Sequence, residues 1–286
     1  MRLGIIGCGN MGGGMASQLG KNGFEVTCFD PIPEISSRMA TLGATTAASA
    51  GALAKACDVI ILSLPKAAVV EAVMAEILPD IQAGTVILDA STSEPATSQA
   101  MCAKGAEHGF AFVDGPVSGG PEAANAGTMT MLLGGDADAI ETMRPALDII
   151  TSKTVKVGDS GAGHAAKIAN NMLCAANLVL VGEAIRLGQA AGVSPADLLE
   201  GINAGSGRSG VSEVNFPKWV LNDAFDSGFT MGLMRKDVGL ALDLAKNSGV
   251  DLCGFEQIAN IWLNASTDIS DSDDFNAIVK HNPKGV

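Results

Sequence analysis

The chain has no tyrosine in its 286 residues. That absence excludes any mechanism built on a tyrosine general acid, the tyrosine–lysine pair included. Its six cysteines (Cys8, Cys28, Cys57, Cys102, Cys174, Cys253) are scattered and form no CxxC, so reduced thiols are expected rather than disulfides or a zinc site. The three histidines, His108, His164 and His281, show no metal-ligand spacing. Basic residues are few. The formal net charge of −13 argues against nucleic acid or an anionic membrane as a partner. Long hydrophobic runs are missing too. The longest, Met172 to Val181, is too short to span a bilayer and contains Asn177. The N-terminus reads directly as a strand, with no signal-peptide pattern, so a cytoplasmic location is expected. No repeat or low-complexity segment stands out.

What is present is enough for two domains: 286 residues with 47% apolar content support sizeable cores. The first thirty residues organise the rest. A short apolar run, Leu3 to Ile6, leads into Gly7, Gly9 and Gly12, the G-x-G-x-x-G spacing, and then into a helical stretch from Met11 to Lys21. A second apolar run, Val26 to Phe29, ends at Asp30. Strand, glycine turn, helix, strand and acid together are the parts of a dinucleotide site. Gly7 permits the tight turn, Gly9 lets the backbone approach a pyrophosphate, and Gly12 lets helix and strand pack closely. The helix N-terminus offers N–H groups and a positive dipole end. Asp30 lies 23 residues after Gly7, near the spacing of about 20 expected for the acid that binds ribose hydroxyls. A carboxylate there repels a 2′-phosphate, and Arg38 is the first arginine to follow, so NAD is expected over NADP.

Apolar runs and helical stretches then alternate. Asp58–Leu64 and Thr85–Leu88 read as strands buried on both faces. Phe110–Val113, Thr128–Leu133 and Thr154–Val157 read as further strands. Helices are expected over 47–56, 66–78, 95–107 and 136–150. This alternation predicts an α/β fold with a doubly wound parallel sheet and additions at one edge. From Ala162 onward no strong strand signal occurs. A long helix over 165–191 and further helices over 195–204, 236–248 and 255–265 predict an all-α second half. The boundary is placed near residue 160, giving domains 1–160 and 161–286. The polar stretch Ser270 to Val286 is read as a short helix with a frayed end.

In open α/β sheets, ligands sit beyond the carboxyl ends of the strands. Pro65 follows one buried strand, and Ser91 and Thr92 follow the next. Asp114-Gly115-Pro116-Val117-Ser118-Gly119-Gly120 follows a third. Two glycines after a serine can aim N–H groups at an anion such as a carboxylate, although such a loop is as readily a plain surface turn. Lys167 and Asn171 are four apart on one helix face, with His164 one turn earlier. A lysine near a helix start opposes the dipole, and partial burial would tune it toward general acid/base work. Read alone, the pair is equally a solvated lysine and a helix asparagine. Lys236-Asp237, after the apolar 229–234 run, reads alone as an exposed ion pair at a helix start.

Four ordered segments bring these residues together. GCGNMGGGMASQL, DGPVSGG followed by Ala126-Gly127-Thr128, GAGHAAKIANN and FTMGLMRKD resemble the motifs of the β-hydroxyacid dehydrogenases, the group that contains 3-hydroxyisobutyrate dehydrogenase and tartronate semialdehyde reductase. The resemblance runs nearly end to end. It implies a Rossmann-type N-terminal domain joined by a long helix to an all-α domain, with a cleft between them. It further implies a homodimer or homotetramer formed largely through the helical half. By the same resemblance Lys167 is the general acid/base, and Ser118, Gly119 and Gly120 bind a substrate carboxylate. Asn171 orients the substrate or the lysine, and Lys236 closes over substrate and cofactor. Gly7, Gly9, Asn10, Met11, Gly12, Asp30, Leu64, Pro65, Ser91 and Thr92 line NAD. The expected partner is a small anionic hydroxy acid or semialdehyde.

Rival readings fare less well. 6-Phosphogluconate dehydrogenases are much longer and carry His-Asn where this chain has Asn170-Asn171. Imine reductases usually lack the lysine. A catalytically silent NAD-binding module typically loses it too. The turn Gly205-Ser206-Gly207-Arg208-Ser209 stays open, either a helix connection or a contact from Arg208 or Ser206 to the far end of the substrate.

Overall fold

The computed structural model describes residues 1–281. It divides into two compact units, Met1–Lys167 and the chain from Ile168 onward.

The first unit is built on one sheet. Its strands are β1 (Leu3–Ile6), β2 (Val26–Phe29), β3 (Thr45–Thr46), β4 (Val59–Leu62), β5 (Val86–Asp89), β6 (Ala111–Asp114), β7 (Val117–Ser118), β8 (Met129–Gly134) and β9 (Thr151–Gly158). The order is β3-β2-β1-β4-β5-β6-β8-β7, with β9 paired to β8. Strands β3 to β6 pair in parallel. β8 runs antiparallel to β6 and β7 and parallel to β9. The expected doubly wound parallel sheet with additions at one edge is therefore present. Helices α1 (Asn10–Lys21), α2 (Pro33–Thr41), α3 (Ala50–Ala56), α4 (Ala67–Ile77), α5 (Pro95–His108), α6 (Gly120–Ala126) and α7 (Ala137–Ile150) complete the unit.

The unbroken apolar strands are explained by two cores. Successive side chains of a strand point to opposite faces. Leu3, Ile5, Val59, Ile61, Val86 and Leu88 enter one cluster with Met15 and Leu19 of α1. Ile6, Ile60, Leu62 and Ile87 enter another with Leu53 of α3 and Val70 and Met74 of α4. Both faces are covered, so no polar residue interrupts the strands. The register sets the strand ends level: Leu62 lies beside Asp89, and Asp89 beside Asp114.

Among the strands and α-helices of the described residues, four escape the sequence reading. α2 buries only Met39, which leaves no apolar periodicity to see. β3 and β7 have two residues each. α6 follows directly from the Ser-Gly-Gly turn.

Helix α8 (Ala162–Ala190) begins in the first unit and continues into the second. By length and composition it could cross a bilayer. Instead Ile168, Ala175, Leu178, Val179, Val181 and Ile185 pack into the core of the second unit. There they join α9 (Pro195–Ala204), α10 (Met231–Ser248) and α11 (Cys253–Asn264). Trp262 is fully buried and donates its indole N–H to Ala175 O at 3.1 Å. α10 starts five residues before the predicted 236, because Thr230 caps it through Leu233 N–H. Lys236 and Asp237 consequently sit in its second turn, and Asp237 is 2% exposed rather than at an exposed helix start. The Arg208 turn leads into a ten-residue π-helix, Val211–Val220. Of the polar C-terminal stretch, Phe275–Lys280 is a 3-10 helix, and residues 282–286 lie outside the described residues.

Candidate active site

The glycine turn has little freedom to be anything else. Gly7 has φ +89°, and a Cβ there would lie 2.4 Å from Ser63 O. A Cβ on Gly12 would lie 1.9 Å from Gly7 O. Around Gly9, by contrast, nothing stands within 4 Å of a Cβ position. The turn is packed from below and open at its middle glycine, which is the cradle a pyrophosphate requires. α1 begins at Asn10 and Met11 with no side-chain cap and no acid in its first turn, so its leading N–H groups suit an anion.

Asp30 follows β2 and is 9% exposed. Its Oδ2 accepts the Cys8 N–H at 2.8 Å and its Oδ1 the Ile32 N–H at 3.0 Å. The acid is thereby locked to the loop it serves, with lone pairs remaining for ribose hydroxyls. The Cys8 thiol beside it is pushed up by a hydrogen bond with Cys28 and by burial. Arg38, the first arginine after Asp30, reaches back to this loop. Its Nη2 donates to Cys8 O at 2.6 Å.

The next loops are tied together. Leu64 N–H donates to Ser91 Oγ at 2.9 Å, joining the turn before Pro65 to the turn that carries Ser91 and Thr92. Ser91 N–H donates to Asp89 Oδ1 at 3.0 Å. Asp89 is fully buried, which pushes its carboxyl up against the opposing pull of His164.

Asp114, also fully buried, accepts from Gly161 N–H at 2.7 Å and His164 N–H at 3.0 Å. A carboxylate from the end of β6 thus satisfies two free amides at the start of α8 and complements its dipole. Glycines make room: a Cβ on Gly163 would lie 2.7 Å from Asp114 Oδ2. The helix so anchored carries Lys167, which is 7% exposed. Lys167 Nζ donates to Ser118 Oγ at 2.9 Å. Ser118 ends β7, and Gly119 and Gly120 follow at φ +124° and +67°. A Cβ on Gly119 would lie 2.5 Å from Ala123 Cβ. The structure therefore brings Lys167 and Ser118 together beside a turn that only glycine accommodates.

The second unit assembles the remaining pair. Asn171, one turn after Lys167 on α8 and 5% exposed, donates from Nδ2 to Asp237 Oδ2 at 2.6 Å. Lys236 Nζ lies 3.3 Å from Asp237 Oδ1. Asp237 is the residue whose part sequence reasoning missed. Its near-complete burial between Asn171 and Lys236 left no trace in local spacing. Asp89 and Asp114 were missed likewise, though an acid closing a wholly apolar strand, as in TVILD and FAFVD, was the available signal. Arg208 does not join any of these groups. It is exposed, with Nε 3.7 Å from Glu213 Oε1.

Residues 2–158 match the NAD binding domain of 6-phosphogluconate dehydrogenase. Residues 161–282 match the family described as NAD-binding of NADP-dependent 3-hydroxyisobutyrate dehydrogenase. The chain is 39% identical to 2-(hydroxymethyl)glutarate dehydrogenase of Eubacterium barkeri over 88% of its length and 85% of that protein. It is 36% identical to the NAD-dependent L-serine dehydrogenase of Pseudomonas aeruginosa over 86% of each chain. The solved 3-hydroxyisobutyrate dehydrogenase of Mycobacterium tuberculosis with L-serine superimposes with a TM-score of 0.92 at 31% identity, covering 98% of this chain and 99% of that one.

Proposed function

The chain belongs to the β-hydroxyacid dehydrogenase family, and we propose that it interconverts a small 3-hydroxy acid and its semialdehyde with NAD, using Lys167 as general acid/base. The substrates named for the relatives, 3-hydroxyisobutyrate, L-serine and 2-(hydroxymethyl)glutarate, share one core: a carboxylate and a hydroxymethyl group on the same carbon. That core is the proposed substrate class. NAD, when bound, supplies the hydride acceptor. Gly7, Gly9, Asn10, Met11 and Gly12 hold its phosphates, Asp30 its ribose, and Leu64, Pro65, Ser91 and Thr92 line it.

The observation that carries the reading is the buried Lys167 Nζ on Ser118 Oγ. A buried amine bonded to a fixed hydroxyl is aimed at the space beside that hydroxyl. In oxidation the neutral amine takes the hydroxyl proton. In reduction the ammonium polarises the carbonyl oxygen and delivers its proton. Ser118, Gly119 and Gly120 receive the carboxylate, which fixes the reacting carbon. Asp237 holds Asn171 and Lys236, to which we assign contacts with substrate and, for Lys236, also cofactor.

Leu173, Leu180 and Leu187 are 58%, 51% and 74% exposed and recur every seven residues along α8, a helix-pairing stripe. We assign this stripe to a homodimer or homotetramer, and the enzyme to the cytoplasm. Leu180→Glu is expected to shift the light-scattering mass toward the monomer, and an unchanged mass refutes this surface.

Initial rates test the reading: 3-hydroxyisobutyrate, L-serine and 2-(hydroxymethyl)glutarate, each with NAD and NADP. Turnover on at least one, with NAD preferred, is the expected result. Comparable efficiency with NADP overturns the role given to Asp30. Silence on every hydroxymethyl acid overturns the substrate class.

A further inference from the structure

One buried imidazole joins the loops at the strand ends to the helix of Lys167. His164, in the first turn of α8, has no exposed surface. Its Nε2 lies 3.0 Å from Ser91 O. A carbonyl oxygen only accepts, so Nε2 carries a proton. Nδ1 lies 2.7 Å from Ser98 Oγ, which holds the ring at its other nitrogen. Asp89 Oδ2 has no hydrogen-bond partner among the described residues and stands 3.8 Å from Nε2, favouring the same ring orientation. Ser91 is held in turn at every polar group: its N–H by Asp89, its hydroxyl oxygen by the Leu64 N–H and its carbonyl by His164.

We propose that His164 is a positioning residue that fixes the Ser91–Thr92 turn, and through it the Leu64–Pro65 turn, relative to Lys167 three residues along the helix. This rests on the reading above, in which those turns line the cofactor and Lys167 moves the proton. An aliphatic side chain would fill the space but leave the buried Ser98 hydroxyl and Ser91 carbonyl without the imidazole they bond. What the imidazole adds is direction: two hydrogen bonds of fixed geometry set the turn against the helix. Misplacement by about 1 Å of groups that must meet costs about 100-fold in rate.

The test compares His164→Leu, His164→Gln and Ser98→Ala with the wild type. Glutamine can donate to Ser91 O and accept from Ser98, and leucine can do neither. The first readout needs neither cofactor nor turnover: amide hydrogen exchange of peptides spanning Leu64 and Ser91. Exchange is expected to rise in His164→Leu and to stay at the wild-type level in His164→Gln. The second readout is kcat with the deuterium isotope effect on the transferred hydride. His164→Leu is expected to lose about 100-fold in kcat with a raised isotope effect, and His164→Gln to stay within about threefold of the wild type. If His164→Leu does not fold, Ser98→Ala decides, with faster exchange at Ser91 and a raised isotope effect expected. Unchanged exchange and isotope effect in an active wild-type background, or equal damage from leucine and glutamine, overturns the proposal alone. A wild type that reduces NAD with no hydroxymethyl acid overturns the underlying reading instead.

Discussion

The two units support their polar groups in different ways. In the first, the candidate site groups sit at strand ends, and their turns are enforced by steric exclusion. Glycines 7, 12, 119 and 163 each stand where a Cβ would strike a neighbour, and buried acids hold the turns. In the second, Asn171 and Lys236 come from two helices and are joined through one carboxylate. Gly239, on α10 with Lys236, has nothing within 4 Å of a Cβ position, and where this unit does crowd a glycine, at Gly188, the neighbour is the Leu198 side chain rather than backbone. The candidate-site turns of the first unit thus depend on what cannot be there, and the Asn171–Asp237–Lys236 group of the second on a pairing that must be there.

The sharpest way to break this contrast is Gly12→Ala. A methyl group 1.9 Å from Gly7 O must displace the turn. A stability loss of about 3 kcal/mol is expected, with NAD binding lost in a calorimetric titration. Gly239→Ala in α10 is the matched control and is expected to stabilise slightly, since alanine is the better helix former by about 1 kcal/mol. Equal effects would erase the distinction.

Next in size is Asp237→Ala. It leaves the Asn171 amide and Lys236 without their buried partner, an expected cost of about 2 kcal/mol for an unsatisfied polar group. kcat is expected to fall with it, and NAD affinity in equilibrium dialysis to weaken to a lesser degree through the cofactor contact proposed for Lys236. A loss confined to stability would mean that Asp237 does not serve the site.

Asp114→Ala tests the acid that starts α8. Two amides lose their acceptor, and about 1–2 kcal/mol is expected from loss of a helix cap. Hydrogen exchange at residues 161–164 is expected to speed up before that of the rest of the helix. Uniform exchange along α8 would contradict the capping role.

The smallest effect belongs to a surface pair of the first unit. Arg2 holds the Asp58 carboxyl down at about 2 through hydrogen bonds from its guanidinium and its backbone. A depressed carboxylate stabilises the fold above the ordinary carboxylate range, and the contribution disappears as pH falls from about 4 to about 2. Both side chains are largely exposed, so the gain is small. Asp58→Asn is expected to melt slightly lower than the wild type at pH 7 and to match it near pH 2. A gap that widens in acid would reverse the sign.

The same contrast explains what was legible in the sequence. The strands of the first unit bury both faces and so appear as unbroken apolar runs. Its glycine turn is forced by local clashes and so appears at fixed spacing. Asp114 was visible as a letter but not as the partner of Gly161 and His164, because those contacts span 47 and 50 residues. Asn171 and Asp237 are 66 residues apart, and no helical period links them; only the resemblance of whole segments marked Asn171 and Lys236. The place of Arg38 was hidden for a related reason: α2 folds it back onto Cys8, a contact across 30 residues.

The central claim is that Lys167 moves the proton. It is tested most directly by comparing Lys167→Ala with the wild type on the best substrate, with NAD affinity measured in parallel. A loss of about 10³-fold in kcat is expected, with the NAD dissociation constant nearly unchanged, because the cofactor residues named here lie elsewhere in the chain. Turnover close to that of the wild type would contradict the account.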